Sequence, residues 1–416
     1  MNANKPNVTV NGNAFSLRDK PIVLVCLDGT APEYLEAARD VTPNLERIRT
    51  KGACGVARSV IPSFTNPNNL ALVTGAPPSV NGICGNFYYD RRRDREIMMN
   101  DPAHLRCPTV LSAFSRVEKS VAVVTTKDKL CQLLGKDLRN GICFSVEKAA
   151  ETSDEKNGIT GVVEKIGRPS PGIYDPESSV YCIEAGNWLL RERRPDLLYL
   201  STTDYVQHKH PPEAPEARAF YARLDRFLGE IDSQGVLLGI TADHGMNDKT
   251  NPDGSPRVRY LESLLNEKGI DAPRVILPIT DPYVVHHGAL GSFATVYVKP
   301  EDIAAARSIL QGVPGVELVL SREEAENRFS LPGDRIGELV VLGDRNTVLG
   351  RTAEWHDLSA VRNGLRSHGG LHEQEVPFIV NHRLNADYAD RLSGGSTNNY
   401  ALLDFLCNGT LPAAVG

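Results

Sequence analysis

Acidic and histidine side chains recur beside the short apolar runs that predict strands. They are Asp28, Asp204, His208, Asp243, His244 and His368. Ligands of an open parallel sheet bind at the carboxyl ends of its strands, so side chains that follow different strands converge there. Three carboxylates and three imidazoles suit borderline divalent cations better than magnesium, which prefers oxygen ligands and water. The set predicts a site for two divalent metal ions, and we expect two Zn²⁺, with Mn²⁺ or Fe²⁺ able to substitute.

The spacing of these residues supports one shared site. Asp204 and His208 are four residues apart, which places both on one face if a helix begins there. Asp28, His244 and His368 each precede a glycine, so the backbone can turn and approach closely at these points. Each motif alone is a common turn, but four of them beside the strands of one domain are better explained by a common ligand.

Two hydroxyl groups are candidate nucleophiles, because Ser63 and Thr65 both precede the apolar run 70–73. A hydroxyl at the positive end of a helix that also binds a metal would lose its proton near neutral pH. Spacing does not decide between the two. Thr65-Asn66-Pro67 is also an ordinary helix start, with Thr65 or Asn66 as N-cap and Pro67 at the first helical position.

Lys127 and Lys129 follow the predicted strand 120–126. In an extended chain, residues two apart point to the same side, which would place both ammonium groups at the ligand-binding edge of the sheet. Two such groups beside a metal site favour a small substrate that carries a second negative charge. The alternative is a solvated pair with Asp128 between them.

The elements that must position these residues alternate along the chain. Buried apolar runs at 21–27, 120–126, 196–201, 235–241 and 377–380 predict strands, and amphipathic stretches at 44–50, 213–231 and 399–406 predict helices. This rhythm predicts an α/β fold with a mainly parallel central sheet flanked by helices.

A segment with a different rhythm interrupts this pattern. Residues 256–352 alternate short strands with two helices, at 301–310 and 322–328, which predicts a smaller inserted α+β cap domain. The catalytic core would then consist of residues 1–255 and 353–416. His286 and His287 lie in the cap, but a role over the site is the less favoured interpretation. The edge of the cap's sheet could support a homodimer.

Composition excludes several classes of protein. The 416 residues are 41% hydrophobic and 24% charged, which is typical of globular proteins, and the net charge of −6 offers no cationic field for nucleic acid or anionic membranes. Apolar runs are far shorter than the roughly 20 residues that span a bilayer. Because no apolar signal segment precedes the first strand, we expect a cytoplasmic protein whose eight scattered cysteines are reduced thiols.

The ordered set of motifs resembles the alkaline phosphatase superfamily. It most resembles the branch that holds nucleotide pyrophosphatase/phosphodiesterases and phosphonoacetate hydrolase. The resemblance covers the whole predicted core and depends on Asp28, Pro62-Ser63-Phe64-Thr65, Gly85-Asn86, Asp204 with His208, Asp243-His244-Gly245 and His368-Gly369. It implies a mixed, mainly parallel sheet between helices that carries two zinc ions.

The resemblance also implies roles for individual residues. One metal would be surrounded by Asp28, Thr65, Asp243 and His244, and the other would be held by Asp204, His208 and His368. Thr65, rather than Ser63, matches the nucleophile of the family. Asn86 matches an asparagine that donates to a phosphoryl oxygen, although Gly85-Asn86-Phe87 is also an ordinary turn.

The segments PSFTNPNN and TTKDK resemble phosphonoacetate hydrolase in particular, in which a lysine pair grips the substrate carboxylate. This implies hydrolysis of the carbon–phosphorus bond of phosphonoacetate to acetate and phosphate, through a metal-activated Thr65 and a phosphothreonine. The partner would be a small anion rather than nucleic acid or membrane. Alternatives are a nucleotide pyrophosphatase/phosphodiesterase, a phosphomutase of the same superfamily, and a catalytically silent metal-binding module.

Overall fold

A seven-stranded sheet forms the centre of the computed structural model, which describes residues 7–172, 174–279, 287–362 and 364–412. The strands are β1 (Asn7–Val10), β2 (Asn13–Ser16), β3 (Ile22–Cys26), β4 (Ala53–Arg58), β5 (Phe87–Asp90), β6 (Arg95–Met98), β7 (Val121–Thr125), β8 (Ile142–Ser145), β9 (Leu197–Ser201), β10 (Leu237–Thr241), β11 (Asn247–Asp248), β12 (Val258–Tyr260), β13 (Arg274–Ile276), β14 (Phe293–Tyr297), β15 (Val316–Ser321), β16 (Leu339–Gly343), β17 (Val348–Gly350), β18 (Arg366–Ser367) and β19 (Glu375–Val380).

The α-helices connect and cover these strands. They are α1 (Pro32–Ala37), α2 (Pro43–Lys51), α3 (Thr65–Thr74), α4 (Pro78–Asn81), α5 (Val110–Arg116), α6 (Asp128–Leu134), α7 (Asp154–Asn157), α8 (Val162–Ile166), α9 (Glu177–Glu192), α10 (Tyr205–Lys209), α11 (Pro215–Ser233), α12 (Leu261–Glu267), α13 (Ile303–Gln311), α14 (Arg322–Phe329), α15 (Ala386–Ser393) and α16 (Leu402–Asp404).

The strand order of the central sheet is β4-β19-β10-β3-β9-β7-β8. The five strands from β10 to β8 are parallel, and β19 runs antiparallel to both of its neighbours. All five residues of β3, β7, β9 and β10 are buried, as expected for strands covered on both faces. The predicted α/β fold with a mainly parallel sheet is confirmed.

Helices pack on both faces of this sheet, and alternate residues of β3 serve the two layers. Ile22 and Leu24 belong to the hydrophobic cluster that includes residues of α3 and α5. Val23 and Val25 belong to the cluster on the opposite face, formed with α2, α9 and α11. Apolar burial on both faces therefore holds the carboxyl ends of β3, β9 and β10 in fixed positions.

Residues 256–352 contain a second, four-stranded antiparallel sheet in the order β13-β14-β16-β15. Leu261, Leu265, Ala306 and Leu310 of α12 and α13 pack on it in a hydrophobic cluster of its own. The predicted strands and helices of this segment occur within a few residues of their expected bounds. The boundaries at 255/256 and 352/353 remain a prediction.

Two local expectations are wrong. Residues 399–406 do not form one helix, because 3₁₀, α and π turns succeed one another from Asn399 to Gly409. The chain at Lys127–Lys129 is not extended, because α6 begins at Asp128. Across the described ranges, every helix is too short or too polar to cross a membrane.

Candidate metal centre and active site

Three buried carboxylates meet at the carboxyl ends of three adjacent parallel strands. Asp28 follows β3, Asp204 follows β9 and Asp243 follows β10, and each is at most 4% exposed. Gly29 makes this approach possible, since its φ is +69° and a Cβ there would lie 2.7 Å from the Cβ of Asp204. The ends of the three strands therefore bring like charges together at a buried position.

The three predicted histidines are each fixed by one ring nitrogen. Their Nδ1 atoms donate to backbone carbonyls, from His208 to Arg366 at 2.7 Å, from His244 to Gly245 at 2.9 Å and from His368 to Ser63 at 2.8 Å. Because a carbonyl oxygen only accepts, this arrangement sets the tautomer and turns every Nε2 lone pair away from the backbone.

The Nε2 atoms point at the carboxylates. Nε2 of His208 lies 3.0 Å from Oδ2 of Asp204, and Nε2 of His368 lies 3.7 Å from the same oxygen. Nε2 of His244 lies 3.2 Å from Oδ1 of Asp28, yet neither oxygen of Asp28 accepts a hydrogen bond among the described residues. Buried acceptors that face one another fit divalent cations between them.

These six residues, which we call the acid–histidine cluster, contain two overlapping ligand sets. Asp204, His208 and His368 form one, and Asp28, Asp204 and His244 form the other, each with ligand atoms within 4.8 Å of one another. Asp204 thus belongs to both. Asp243 is the sixth member, and its oxygens accept hydrogen bonds from the backbone of Gly29 and His244 and from the side chain of Asn69.

The electrostatics of the cluster call for added positive charge. Burial, and then the neighbouring carboxylates of Asp204 and Asp243, raise the pKa of Asp28 well above its usual range. Burial in the same way raises the pKa of Asp243 to about 6. Burial and the ring of His244 lower the pKa of His368 well below its usual value, so this imidazole is neutral at pH 7. The neutral imidazole of His368 and the carboxyl groups of Asp28 and Asp243, which resist ionisation, are donors that a divalent cation stabilises.

Glu373 ties together the two turns that carry His244 and His368. Its backbone carbonyl accepts a hydrogen bond of 2.7 Å from Gly245 N, and its Oε2 accepts one of 3.0 Å from Gly370 N. Its Oε1 accepts from Lys249 Nζ at 2.9 Å, in an ion pair that is fully buried. The rings of His244 and His368 stack in parallel with centroids 3.6 Å apart. Sequence reasoning missed this link, because no local motif marks it.

The two candidate nucleophiles have different surroundings. Ser63 is buried, and its hydroxyl donates to the carbonyl of Gly370 at 2.8 Å. Thr65 is half-buried, and its Oγ1 lies 3.4 Å from Nε2 of His244. Helix α3 begins at Thr65 with Phe64 as N-cap, so the interpretation of Thr65 or Asn66 as N-cap is wrong. The Thr65 hydroxyl thus lies at the positive end of α3, beside the acid–histidine cluster.

A cavity of 550 Å³ opens beside the cluster, and Thr65, Asn86, Asp204, His208 and His368 all line it. The side-chain amide of Asn86 donates one hydrogen to the carbonyl of Ile279 at 2.8 Å, which fixes its orientation. The second hydrogen of the same nitrogen is therefore available to a bound group in the cavity.

Lys127 and Lys129 line another side of this cavity, which we call the lysine wall. Lys127 is the N-cap of α6 and Lys129 lies in its first turn, and both line the cavity although the chain between them is not extended. Nζ of Lys127 lies 3.7 Å from Oδ1 of Asp204. Burial would lower the pKa of Lys127, but the carboxylates of Asp204, Asp28 and Asp243 outweigh it and raise that pKa, so the side chain is a cation.

His287 also lines the cavity, a position that sequence reasoning did not favour. It is 3% exposed, and its ring stacks on that of His208 with centroids 5.2 Å apart. His286 lies outside the described residues. Tyr174 and Tyr205 line the cavity as well. In the sequence, only Tyr205 could be associated with the site, because it directly follows Asp204.

Comparisons with known proteins identify relatives of this chain. The family model for type I phosphodiesterase / nucleotide pyrophosphatase matches residues 22–372. The phosphonoacetate hydrolase of Sinorhizobium meliloti 1021, solved in complex with phosphonoformate, is 50% identical and superposes with a TM-score of 0.92, over 97% of this chain and 99% of that one. The same enzyme has also been solved with phosphonoacetate.

More distant relatives share the fold. Murine ectonucleotide pyrophosphatase/phosphodiesterase 5 superposes with a TM-score of 0.62 at 19% identity, over 94% of this chain and 96% of that one. Ectonucleotide pyrophosphatase/phosphodiesterase family member 1 of Mus musculus is 24% identical over 275 residues, which are 63% of this chain. The matched part of the chain spans 28% of the length of that protein. The match to the family model covers most of the chain, so this protein belongs to the type I phosphodiesterase / nucleotide pyrophosphatase family.

Proposed function

We propose that the protein hydrolyses the carbon–phosphorus bond of phosphonoacetate to acetate and phosphate, at a site that holds two Zn²⁺. One observation carries the proposal. A cavity lined by Thr65, two lysines and three members of the acid–histidine cluster, Asp204, His208 and His368, occurs in a chain that is 50% identical, over 97% of its length, to a phosphonoacetate hydrolase. The cavity offers a nucleophile, metal ligands and a cationic wall for a second anionic group.

The residues of the cluster would hold the ions in two sets. Asp204, His208 and His368 would hold one, and Asp28, Asp243, His244 and Thr65 the other, with Asp204 close enough to serve both. When bound, two divalent cations would supply Lewis acidity to the phosphoryl oxygens and lower the pKa of the Thr65 hydroxyl. The fit depends on the inward-facing Nε2 atoms and on the buried oxygens of Asp28.

The first step of the reaction is attack by Oγ1 of Thr65 on phosphorus, as the bond from phosphorus to carbon breaks. Asn86 donates its second amide hydrogen to a phosphoryl oxygen, and the positive end of α3 stabilises the negative charge gathered there. The product of this step is a phosphothreonine.

The leaving group explains the need for the lysine wall. Cleavage of the bond leaves its electron pair on carbon, and this carbanion is stabilised only when the pair delocalises into the neighbouring carboxylate as an enediolate. The ammonium groups of Lys127 and Lys129 stabilise that charge before protonation at carbon releases acetate. Water then hydrolyses the phosphothreonine, so one water is consumed for each acetate and phosphate formed.

The predicted cap, residues 256–352, contributes to the site by holding Asn86 in place. The backbone N of Asn86 donates to the carbonyl of Pro278 at 2.8 Å, and its side chain donates to that of Ile279. Both carbonyls belong to the segment after β13. We propose the core and cap division at 255/256 and 352/353, because residues 256–352 contain a sheet and a hydrophobic cluster of their own.

The test of the nucleophile is Thr65→Ala, compared with Thr65→Ser and Ser63→Ala. We expect Thr65→Ala to lower kcat for phosphonoacetate by on the order of 10³-fold or more at unchanged metal content. Thr65→Ser should retain a phosphorylated intermediate, visible as added mass after acid quench. Ser63→Ala should retain most of the turnover, since that hydroxyl bonds to Gly370. Near-full activity of metal-replete Thr65→Ala contradicts the covalent route.

A panel of substrates separates the alternative functions. Phosphate release from phosphonoacetate is compared with cleavage of an aryl phosphodiester and conversion of phosphoglycerate, before and after chelation and with Zn²⁺, Mn²⁺ or Fe²⁺ restored. Preference for the diester would favour a phosphodiesterase, and conversion of phosphoglycerate a phosphomutase. Stoichiometric metal with no turnover would favour a silent metal-binding protein. Restoration by Zn²⁺ at the lowest concentration would support zinc as the native ion.

A further inference from the structure

Two cysteines meet behind the lysine wall. Cys131 lies in the middle of α6 and Cys143 in β8, and their Sγ atoms are 3.3 Å apart. Sγ of Cys143 also lies 3.5 Å from the carbonyl of Cys131, to which it donates. Gly135 at the end of α6 leaves room for this contact, because a Cβ there would lie 3.0 Å from Sγ of Cys143.

The two thiols differ in access. Cys131 is 5% exposed, whereas Cys143 is half-buried. The hydrogen bond with Cys143 and burial raise the pKa of the Cys131 thiol well above its usual value. A small oxidant from solvent would therefore meet Cys143 first, and Cys131 would be the resolving thiol.

Helix α6 connects this thiol pair to the substrate wall. Lys127 is its N-cap, Lys129 lies two residues before Cys131, and both lysines line the cavity. Strand β8 is held in the central sheet by its pairing with β7, whereas α6 is a two-turn helix with exposed residues on its cavity side. A change in the distance between the sulfurs would therefore be taken up mainly by α6.

We infer that Cys131 and Cys143 form a thiol–disulfide exchange site whose oxidation weakens the hold of the lysine wall on the substrate. The oxidant is a low-molecular-weight disulfide. The Cys143 thiolate attacks it and forms a mixed disulfide, with release of one small thiol. The Cys131 thiolate then attacks Sγ of Cys143 and releases the second. Two protein thiols are oxidised, one small disulfide is reduced to two thiols, and the atoms balance.

The new bond would displace the wall. A disulfide holds its sulfurs about 2.05 Å apart, so they must approach by roughly 1 Å from their separation in the reduced protein. Since α6 moves toward β8, Lys129 moves with it, and the position at which its ammonium group meets the carboxylate of the substrate changes. The KM for phosphonoacetate rises, and a substrate without that carboxylate is unaffected.

The chemical step is tested by mass spectrometry of the full-length protein in glutathione disulfide. We expect the loss of two hydrogens and a cross-link between the tryptic peptides 130–136 and 140–148, both reversed by dithiothreitol. Cys143→Ser and Cys131→Ala abolish the cross-link, and Cys54→Ser, which removes an exposed thiol elsewhere, leaves it intact. Mixed disulfides without the cross-link would overturn the site.

The effect on the wall is tested by kinetics of the reduced and cross-linked forms. This kinetic experiment rests on the proposed function. We expect the KM for phosphonoacetate to rise by about threefold or more in the cross-linked form, while the KM for an aryl phosphate stays unchanged. An unchanged KM for both substrates would overturn the coupling. If the reduced enzyme does not hydrolyse phosphonoacetate at all, the proposed function fails, and the peptide cross-link still decides whether the exchange site exists.

Discussion

Part of the acid–histidine cluster lines the same cavity as the lysine wall, but the two regions differ in how they are held. Every member of the cluster is at most 9% exposed, and its imidazoles are fixed by backbone carbonyls. The side chain of Lys127 is 42% exposed, and Lys129 is exposed at the start of a seven-residue helix. One region is preorganised in the interior, and the other is more exposed to solvent.

This difference follows from what each region has to do. Ligands of a metal must hold their positions closely, because a displaced donor loses most of its bond. Ammonium groups that meet an anion across a wet cavity act through charge on flexible stems, so displacing them weakens substrate binding by degrees and does not abolish the reaction. We therefore expect substitutions in the cluster to abolish the reaction and substitutions in the wall to change its selectivity.

The largest effect is expected for Asp204→Asn, because both ligand sets contain this carboxylate. We expect kcat to fall by on the order of 10³-fold or more and metal content to drop, as measured by turnover and elemental analysis after gel filtration. Asp225→Asn is the matched control. That carboxylate is buried too, but it accepts from the backbone at the start of α2, so its loss should reduce stability and leave metal content unchanged.

The next effect is on the pH dependence of folding in the chelated protein. Burial raises the pKa of Asp243 from its usual 3.8 to about 6 and that of Asp28 in the same direction. Between pH 3.8 and about pH 6 the folded state binds more protons than the unfolded state, so the free energy of unfolding falls as pH rises. Asp243 alone accounts for about 3 kcal/mol over this range.

Divalent metal should cancel this loss, because it stabilises the ionised carboxylates. We expect the thermal midpoints of chelated and zinc-loaded protein to separate as pH rises from about 4 to about 6.5. Parallel pH profiles of the two forms would show that Asp28 and Asp243 do not bind the ions.

A smaller effect is expected when the link between the two ligand turns is cut. Glu373→Gln loses the charge that Lys249 neutralises and weakens the bond to Gly370 N, so His244 and His368 are less firmly placed. We expect metal affinity, measured by competition with a chelator, to fall by about 10–100-fold. Glu317→Gln is the control, since Glu317 pairs with His372 on the surface close by. Equal affinities in both variants would contradict a positioning role.

Sequence reasoning identified the cluster because its residues lie beside strongly apolar strands. The carboxyl edge of a parallel sheet is a property of topology, so Asp28, Asp204 and Asp243 could be placed together without coordinates. The carbonyl partners of the histidines could not, because Ser63 is 305 residues from His368 and Arg366 is 158 residues from His208. Contacts of that kind depend on tertiary packing that no local pattern encodes.

The lysine wall was predicted for a reason that proved wrong. An extended chain was expected to turn Lys127 and Lys129 to one side, whereas a helix begins between them. Both lysines still line the cavity because the chain enters α6 directly after the carboxyl end of β7, which lies beside the cavity. His287 was not favoured because its place beside the ring of His208 depends on tertiary packing, which no local pattern marks.

The smallest effect is expected for Lys129→Met, which tests the tolerance of the wall directly. We expect kcat/KM for phosphonoacetate to fall by about tenfold, mainly through KM, because one ammonium group no longer meets the carboxylate. Turnover of an aryl phosphate should stay within about twofold, since the cluster is untouched. Lys148→Met is the matched control, because Lys148 lines the cavity outside α6 and its Nζ pairs with Glu151 at 2.9 Å, so we expect kcat/KM to stay within about twofold. Equal losses on both substrates would mean that Lys129 supports the fold of α6, and selection of the carboxylate would then depend on Lys127 alone.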